Sequence, residues 1–155
     1  MLSCMYINCK TYFSFKYGTY STKELVQAAA DNGVTALALT NINSTCDTWD
    51  FVQYCREAGI KPVCGAEIRN GDTLLYILLA ANNKGLTWIN EFLSGHLDKK
   101  KDFPERAGET PFFNDLWDGF VVYPLGTKPL NELFPNEQVG LLRTDLTKLY
   151  SIDWK

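Results

Sequence analysis

Histidine is nearly absent from this chain: His96 is the only one in 155 residues. Imidazole is the commonest neutral-pH base and a standard metal ligand. Its scarcity leaves most metal-centred chemistry, and Ser/His or Cys/His nucleophile systems, without support. There is no glycine-rich phosphate loop, no G-x-G-x-x-G fingerprint and no G-x-S-x-G elbow, so the usual signatures of nucleotide binding and of a hydrolase nucleophile are missing. Long apolar runs are missing too. The longest, Leu74 to Ala81, has eight residues, whereas a membrane helix needs about 20, so no membrane is expected as a partner. The first residues show neither a basic stretch nor a long apolar one, so no secretory signal is expected and the location reads as cytoplasmic. The five cysteines (Cys4, Cys9, Cys46, Cys55, Cys64) never fall in a C-x-x-C spacing. They read as reduced thiols, several of them buried as small hydrophobes.

What is present describes a folded globular chain. Apolar residues make up 46% and charged residues 21%, with a net charge of −3. The length suits one domain over 1–155, or the amino-terminal portion of a larger one. The acidic balance argues against an autonomous grip on nucleic acid, whose affinity comes mostly from phosphate contacts.

Strands and helices alternate along the chain. Met5 to Cys9 reads as a first strand. Ser21-Thr-Lys-Glu24 is a capping box that opens a helix carrying Leu25, Val26 and Ala28 to Ala30, ended by Gly33. Thr35 to Thr40 is an apolar run of strand length. Thr45 or Asp47 is placed to cap a second helix, bearing Trp49, Phe51, Val52 and Cys55 and stopped by Gly59. Lys61 to Ile68 and Leu74 to Ala81 supply two more strands around the turn signal Asn70-Gly-Asp72. A third helix follows Asn82-Asn83, with Leu86, Ile89, Phe92 and Leu93 on one face. This spacing predicts βαβ crossovers and mainly parallel strands. Residues 96–111 read as a polar loop or insertion, its Lys99, Lys100 and Lys101 a solvated run rather than a phosphate patch. Gly119 to Pro124 restores a strand, Val139 to Arg143 suggests another, and a short helix is expected near Asp145–Tyr150.

In parallel α/β folds, reactive groups gather at the carboxyl ends of the strands. Those positions hold Asn8, Lys10, Asn41, Asn43 and Glu67. A metal site needs lone pairs, and Lys10 has none to offer at neutral pH. One carboxylate with amides holds a hard cation weakly at best. Glu67 paired with a nearby base is the stronger reading. For the asparagines, turn and strand-end capping is stronger than ligation. The aromatic segment Tyr12-Phe-Ser-Phe-Lys-Tyr17 suits base stacking on a positive rim, and core packing or loop anchoring equally.

Ile7-Asn-Cys-Lys-Thr-Tyr-Phe-Ser14, with Gly18 behind it, resembles the H-x-H-T-x-F-S motif of the PHP (polymerase and histidinol phosphatase) family. Ala36-Leu-Ala-Leu-Thr-Asn-Ile-Asn43 is similar to that family's A-L-T-D-H-G-N segment. Gly59-Ile-Lys-Pro-Val-Cys-Gly-Ala-Glu67 follows its G-I-K-P-x-x-G-x-E segment closely, and Leu78 to Gly85 its L-A-x-N-x-x-G signature. The order and spacing resemble the amino-terminal PHP module of bacterial replicative polymerase alpha subunits.

The resemblance implies a distorted (β/α) barrel, shortened or partial here. It implies that Asn8, Lys10, Tyr17, Asn41, Ile42 and Leu75 stand where the family has metal ligands, with only Glu67 keeping the ligand type. The expectation is a structural module with a vestigial site, no catalytic residues of its own, no cofactor and Lys10–Glu67 as a candidate ion pair. Its partner would be the rest of the polymerase chain, together with a proofreading exonuclease subunit. DNA would be met through the parent chain, whose nucleotidyl transfer lies outside these residues. The competing expectations are a residual phosphoesterase or 3′–5′ exonuclease using Zn, Mn or Mg, and a free-standing interaction protein with this fold.

Overall fold

The expected alternation of strand and helix is borne out in the computed structural model, which describes residues 4–109 and 117–147. In chain order the elements are β1 (Met5–Cys9), α1 (Thr22–Asp31), β2 (Ala36–Leu39), α2 (Thr48–Glu57), β3 (Lys61–Asn70), β4 (Thr73–Ala80), α3 (Asn83–Leu97), β5 (Gly119–Pro124) and β6 (Glu137–Gly140). Single 3-10 turns lie at Ala107–Glu109, Leu130–Glu132 and Arg143–Asp145. The six strands form one curled sheet in sequence order, half of a barrel. β1–β2, β2–β3 and β5–β6 pair in parallel, and β3–β4 and β4–β5 are antiparallel. The sheet is therefore mixed and mostly parallel.

The reversal has a local cause. Gly71 takes φ 55°, a conformation that suits glycine, and closes the Asn70–Asp72 turn into a hairpin. No helix intervenes, so β4 runs back along β3 instead of crossing over. At the same place the register slips. Ile68 pairs with Tyr76 but Arg69 pairs with Leu74, which leaves Leu75 as an extra residue in β4.

Helices cover the outer face of the sheet. α1 and α2 pack Val26, Ala29, Phe51 and Cys55 against Leu37 and Leu39. α3 packs Ile89, Phe92 and Leu93 against Ala66, Ile68, Tyr76, Leu78, Val121 and Tyr123. The alternate residues Ala38, Ile77, Leu79 and Val122 form a smaller apolar cluster on the inner face, as a period of two requires.

Capping follows the sequence at α1. Ser21 Oγ accepts from the Glu24 amide, and the Glu24 carboxylate accepts from the Ser21 amide at 2.8 Å. At α3 the Asn82 side chain accepts from the Gly85 amide at 3.0 Å. α2 departs from expectation. Asp47 occupies the cap position at φ 66° without a side-chain cap bond, because its carboxylate accepts from the Thr22 hydroxyl on α1 instead.

The 96–111 segment also differs from a plain polar loop. α3 runs on through Leu97, and the buried residues Phe103 and Ala107 join the α3 core; residues 110 and 111 lie outside the described ones. β6 begins two residues earlier than expected, at Glu137, and stops at Gly140. Of the helix expected at Asp145–Tyr150, the described residues show only the turn Arg143–Asp145, and residues 148–150 lie outside them.

Candidate functional site

The inner face carries its polar groups where β1, β2 and β3 end. Glu67 is opposite Ile77 of β4 in the antiparallel register, which turns its side chain inward among the apolar cluster. The carboxylate is 1% exposed, and such a charge survives burial only when it is paired and hydrogen-bonded. It is both. Lys10 Nζ lies 2.7 Å from Oε2 and Arg69 Nε 2.5 Å from Oε1. Asn8 Nδ2 donates to Oε2 at 2.9 Å. Burial pushes the Glu67 carboxyl up, but the hydrogen bonds from Lys10, Arg69 and Asn8 and the Lys10 charge outweigh it, holding it below the usual carboxylate range.

The neighbouring side chains are committed as well. Asn8 Oδ1 accepts from Lys10 Nζ at 2.9 Å and from Thr40 Oγ at 2.7 Å. Buried Asn41 uses its amide oxygen to accept from the Thr11 amide at 3.0 Å, the Thr11 hydroxyl at 3.2 Å and the Ser14 hydroxyl at 2.8 Å. Ser14 Oγ in turn accepts from the Ile42 amide at 2.9 Å. This clasp fixes the loop that follows β1 across the ends of the strands. Asn43, at φ 48°, pairs its side chain with both the amide and the carbonyl of Arg69, at 2.8 and 2.9 Å. It thereby acts as a one-residue extension of the sheet.

Of the positions singled out in the sequence, Asn8, Lys10 and Glu67 meet directly, and Asn41 joins through its carbonyl, which accepts from the Glu67 amide at 3.1 Å. Ile42 contributes backbone, forming a parallel bridge to Glu67. Tyr17 closes over Arg69, its hydroxyl accepting from Nη1 at 3.1 Å and its ring 4.5 Å from the guanidinium carbon. Leu75 is not part of the site. The register slip turns it to the outer face, into the α3 core with Ile68 and Tyr76.

Arg69 was not singled out in the sequence. Its signal was period-two alternation, which places it on the same face of the strand as Glu67. His96 stands apart in the last turn of α3, its Nδ1 2.8 Å from the Phe92 carbonyl and its ring stacked on Phe103. Burial pushes the Cys64 thiol up to about 11 and the Cys55 thiol up to about 12, so both are protonated at neutral pH and neither is an activated nucleophile.

The donor set does not fit a metal centre. Lys10 and Arg69 offer no lone pairs and bring two positive charges, and the oxygens of Glu67, Asn8 and Asn41 already accept from other groups. Among the described residues, no three His, Cys, Asp or Glu side chains gather around one point. What the arrangement can do is hold three strand ends and a loop together through one buried, charge-compensated cluster.

Comparison with known proteins gives the context. A family model described as PHP domain matches residues 7–118. The chain is 33% identical over 123 residues to the DNA polymerase III subunit alpha of Pseudomonas aeruginosa, covering 70% of this chain and 10% of that one. It is 27% identical over 135 residues to the Haemophilus influenzae subunit, covering 80% and 11%. An error-prone DNA polymerase of Symbiobacterium thermophilum is 32% identical over 100 residues, covering 64% and 9%. The chain thus spans about a tenth of the length of the polymerases it matches. Among solved structures, one from Bifidobacterium adolescentis described as a metal-dependent phosphoesterase superposes with a TM-score of 0.55 at 15% identity, covering 96% of this chain and 74% of that one. At that identity the likeness is one of fold. No helix of the described residues is long and apolar enough to cross a membrane.

Proposed function

The chain belongs to the PHP domain family, and from that premise we propose that it serves as a structural module of a replicative DNA polymerase alpha chain, with a cationic cluster in place of a metal centre. One observation carries the reading. Both oxygens of Glu67, the single position that keeps a family ligand type, are taken by side-chain cations at 2.7 and 2.5 Å. Of the roughly four acceptor sites of a carboxylate, three are taken by Lys10, Asn8 and Arg69, and an ammonium and a guanidinium already neutralise its charge. Among the described residues, water activation by a metal cluster has no ligand set. The cluster instead supplies the cross-strand attraction that keeps β1, β3 and the loop after β1 in register. The partner of such a module is the rest of the polymerase chain.

Two measurements test this. Metal analysis of protein purified without chelator, with a phosphodiester assay in added Mn²⁺, Zn²⁺ and Mg²⁺, is expected to give neither stoichiometric metal nor turnover. Bound metal with turnover abolished by Glu67→Ala would establish the phosphoesterase reading instead. In the source cell, an antibody against the folded chain should detect a polypeptide several times larger than 17.6 kDa. A band at that mass alone would favour the free-standing interaction protein.

A further inference from the structure

The aromatic segment after β1 is not absorbed by the structural role. None of its rings lies in the core, and among them only Tyr17, held on Arg69, helps to anchor the loop. Thr11 and Ser14 do the anchoring, buried against Asn41, and the Tyr12 amide closes the base of the loop on the Tyr20 carbonyl at 2.9 Å. The rings are left outside. Phe15 is 83% exposed, and Tyr12, Phe13, Tyr17 and Tyr20 lie between 46% and 52%. Five exposed rings fall within nine residues of a loop clasped by buried hydrogen bonds, and Tyr12 and Phe13 pack ring to ring with centroids 4.7 Å apart. Tyr17 is backed on one ring face by the Arg69 guanidinium at 4.5 Å.

The amino-terminal stretch that carries these rings differs in charge from the chain as a whole. The chain is acidic, yet residues 1–23 hold no aspartate or glutamate and three lysines, Lys10, Lys16 and Lys23. Lys10 is spent on Glu67, while Lys16 and Lys23 are exposed. The first acid, Glu24, is tied into the α1 cap by Ser21. Exposed rings on a loop that carries Lys16 suit a polyanion that presents flat apolar faces. Single-stranded nucleic acid has both features, whereas a duplex hides its base faces.

We infer that the loop of residues 12–20, which carries Lys16 and is followed by Lys23, binds single-stranded nucleic acid by base stacking without sequence preference. The inference rests on the loop and its charges and stands independently of the polymerase reading. Stacking of a base on an aromatic ring contributes enough that truncating one ring weakens binding by roughly 5- to 150-fold. Each lysine–phosphate contact adds about −0.7 to the slope of log affinity against log salt for a single strand.

The test is fluorescence anisotropy of a labelled oligothymidylate of about 20 nucleotides titrated with the 155-residue chain at low salt. Phe15→Ala and Tyr12→Ala are expected to weaken binding about tenfold or more, with unchanged circular dichroism because neither ring packs in the core. Lys16→Ala should reduce the salt slope by about 0.7. Trp49→Ala, at an equally exposed ring on α2, is expected to leave binding unchanged. The proposal is overturned by absence of binding, by Phe15→Ala binding like the parent, or by equal weakening from Trp49→Ala. It is also overturned if an abasic strand, a duplex or an acidic peptide competes as well as the single strand, the last marking a protein-binding surface.

Discussion

At Glu67 two opposing effects meet: burial disfavours the charge, and three donors favour it. Because the donors win, the folded protein holds this carboxyl at a lower pKa than the unfolded chain does. Its contribution to stability is therefore complete above the unfolded value of about 4.3 and is lost as pH falls through the lower, folded one. Chemical denaturation should show a midpoint insensitive to this group near neutrality and a decline below about pH 4, and the decline should be smaller in Glu67→Gln. At pH 7 that variant leaves Lys10 and Arg69 facing each other without an anion, which should cost about 3–5 kcal/mol. A loss below about 1 kcal/mol would show that the cluster does not hold the strand ends together. The Lys10–Glu67 half of this cluster was legible in the sequence, because strand ends converge in a parallel fold and only one carboxylate was available. The Arg69 half was not. Nothing in residue type distinguishes an arginine that returns along its own strand face from one that points to solvent. The same ambiguity held for Tyr12 to Tyr17, since aromatic residues serve core and surface alike and only the fold decides between them.

Elements were more readable than side chains. α1 and α3 begin where Ser21 and Asn82 offer capping oxygens, and α1 and α2 end just before Gly33 and Gly59, whose φ values of 67° and 71° suit glycine. The β3–β4 hairpin was half-legible. Its turn residues were plain, but nothing in them marks the register slip between Ile68 and Arg69. Two glycines in the family-like segments are explained by close approach rather than by turns. A Cβ on Gly65 would stand 2.1 Å from the Leu78 carbonyl oxygen across the β3–β4 pair, and one on Gly85 would stand 2.0 Å from the Asp118 carbonyl oxygen. Backbone has little room to yield at either place. Gly65→Ala should lower stability by about 1–3 kcal/mol, and hydrogen exchange should show the loss of protection centred on the amides of β3 and β4. Unchanged protection there would mean that the two strands can separate at no cost.

For the whole molecule, the sheet connects three apolar clusters that would otherwise be separate. α1 and α2 cover one end, α3 covers the other, and Ala38, Ile77, Leu79 and Val122 link them across the inner face. Because the strands are shared, the two ends should unfold together. Phe51→Ala in the first cluster and Phe92→Ala in the second should each lower the same single transition, by about 3–5 kcal/mol. Calorimetry that resolved two transitions, each answering to one substitution, would show two independent units. The extra residue in β4 has a consequence for what position 75 can carry. Leu75 shares the outer cluster with Ile89, Phe92 and Phe103, so a polar side chain introduced there would be buried among apolar groups, away from Glu67 and without a partner.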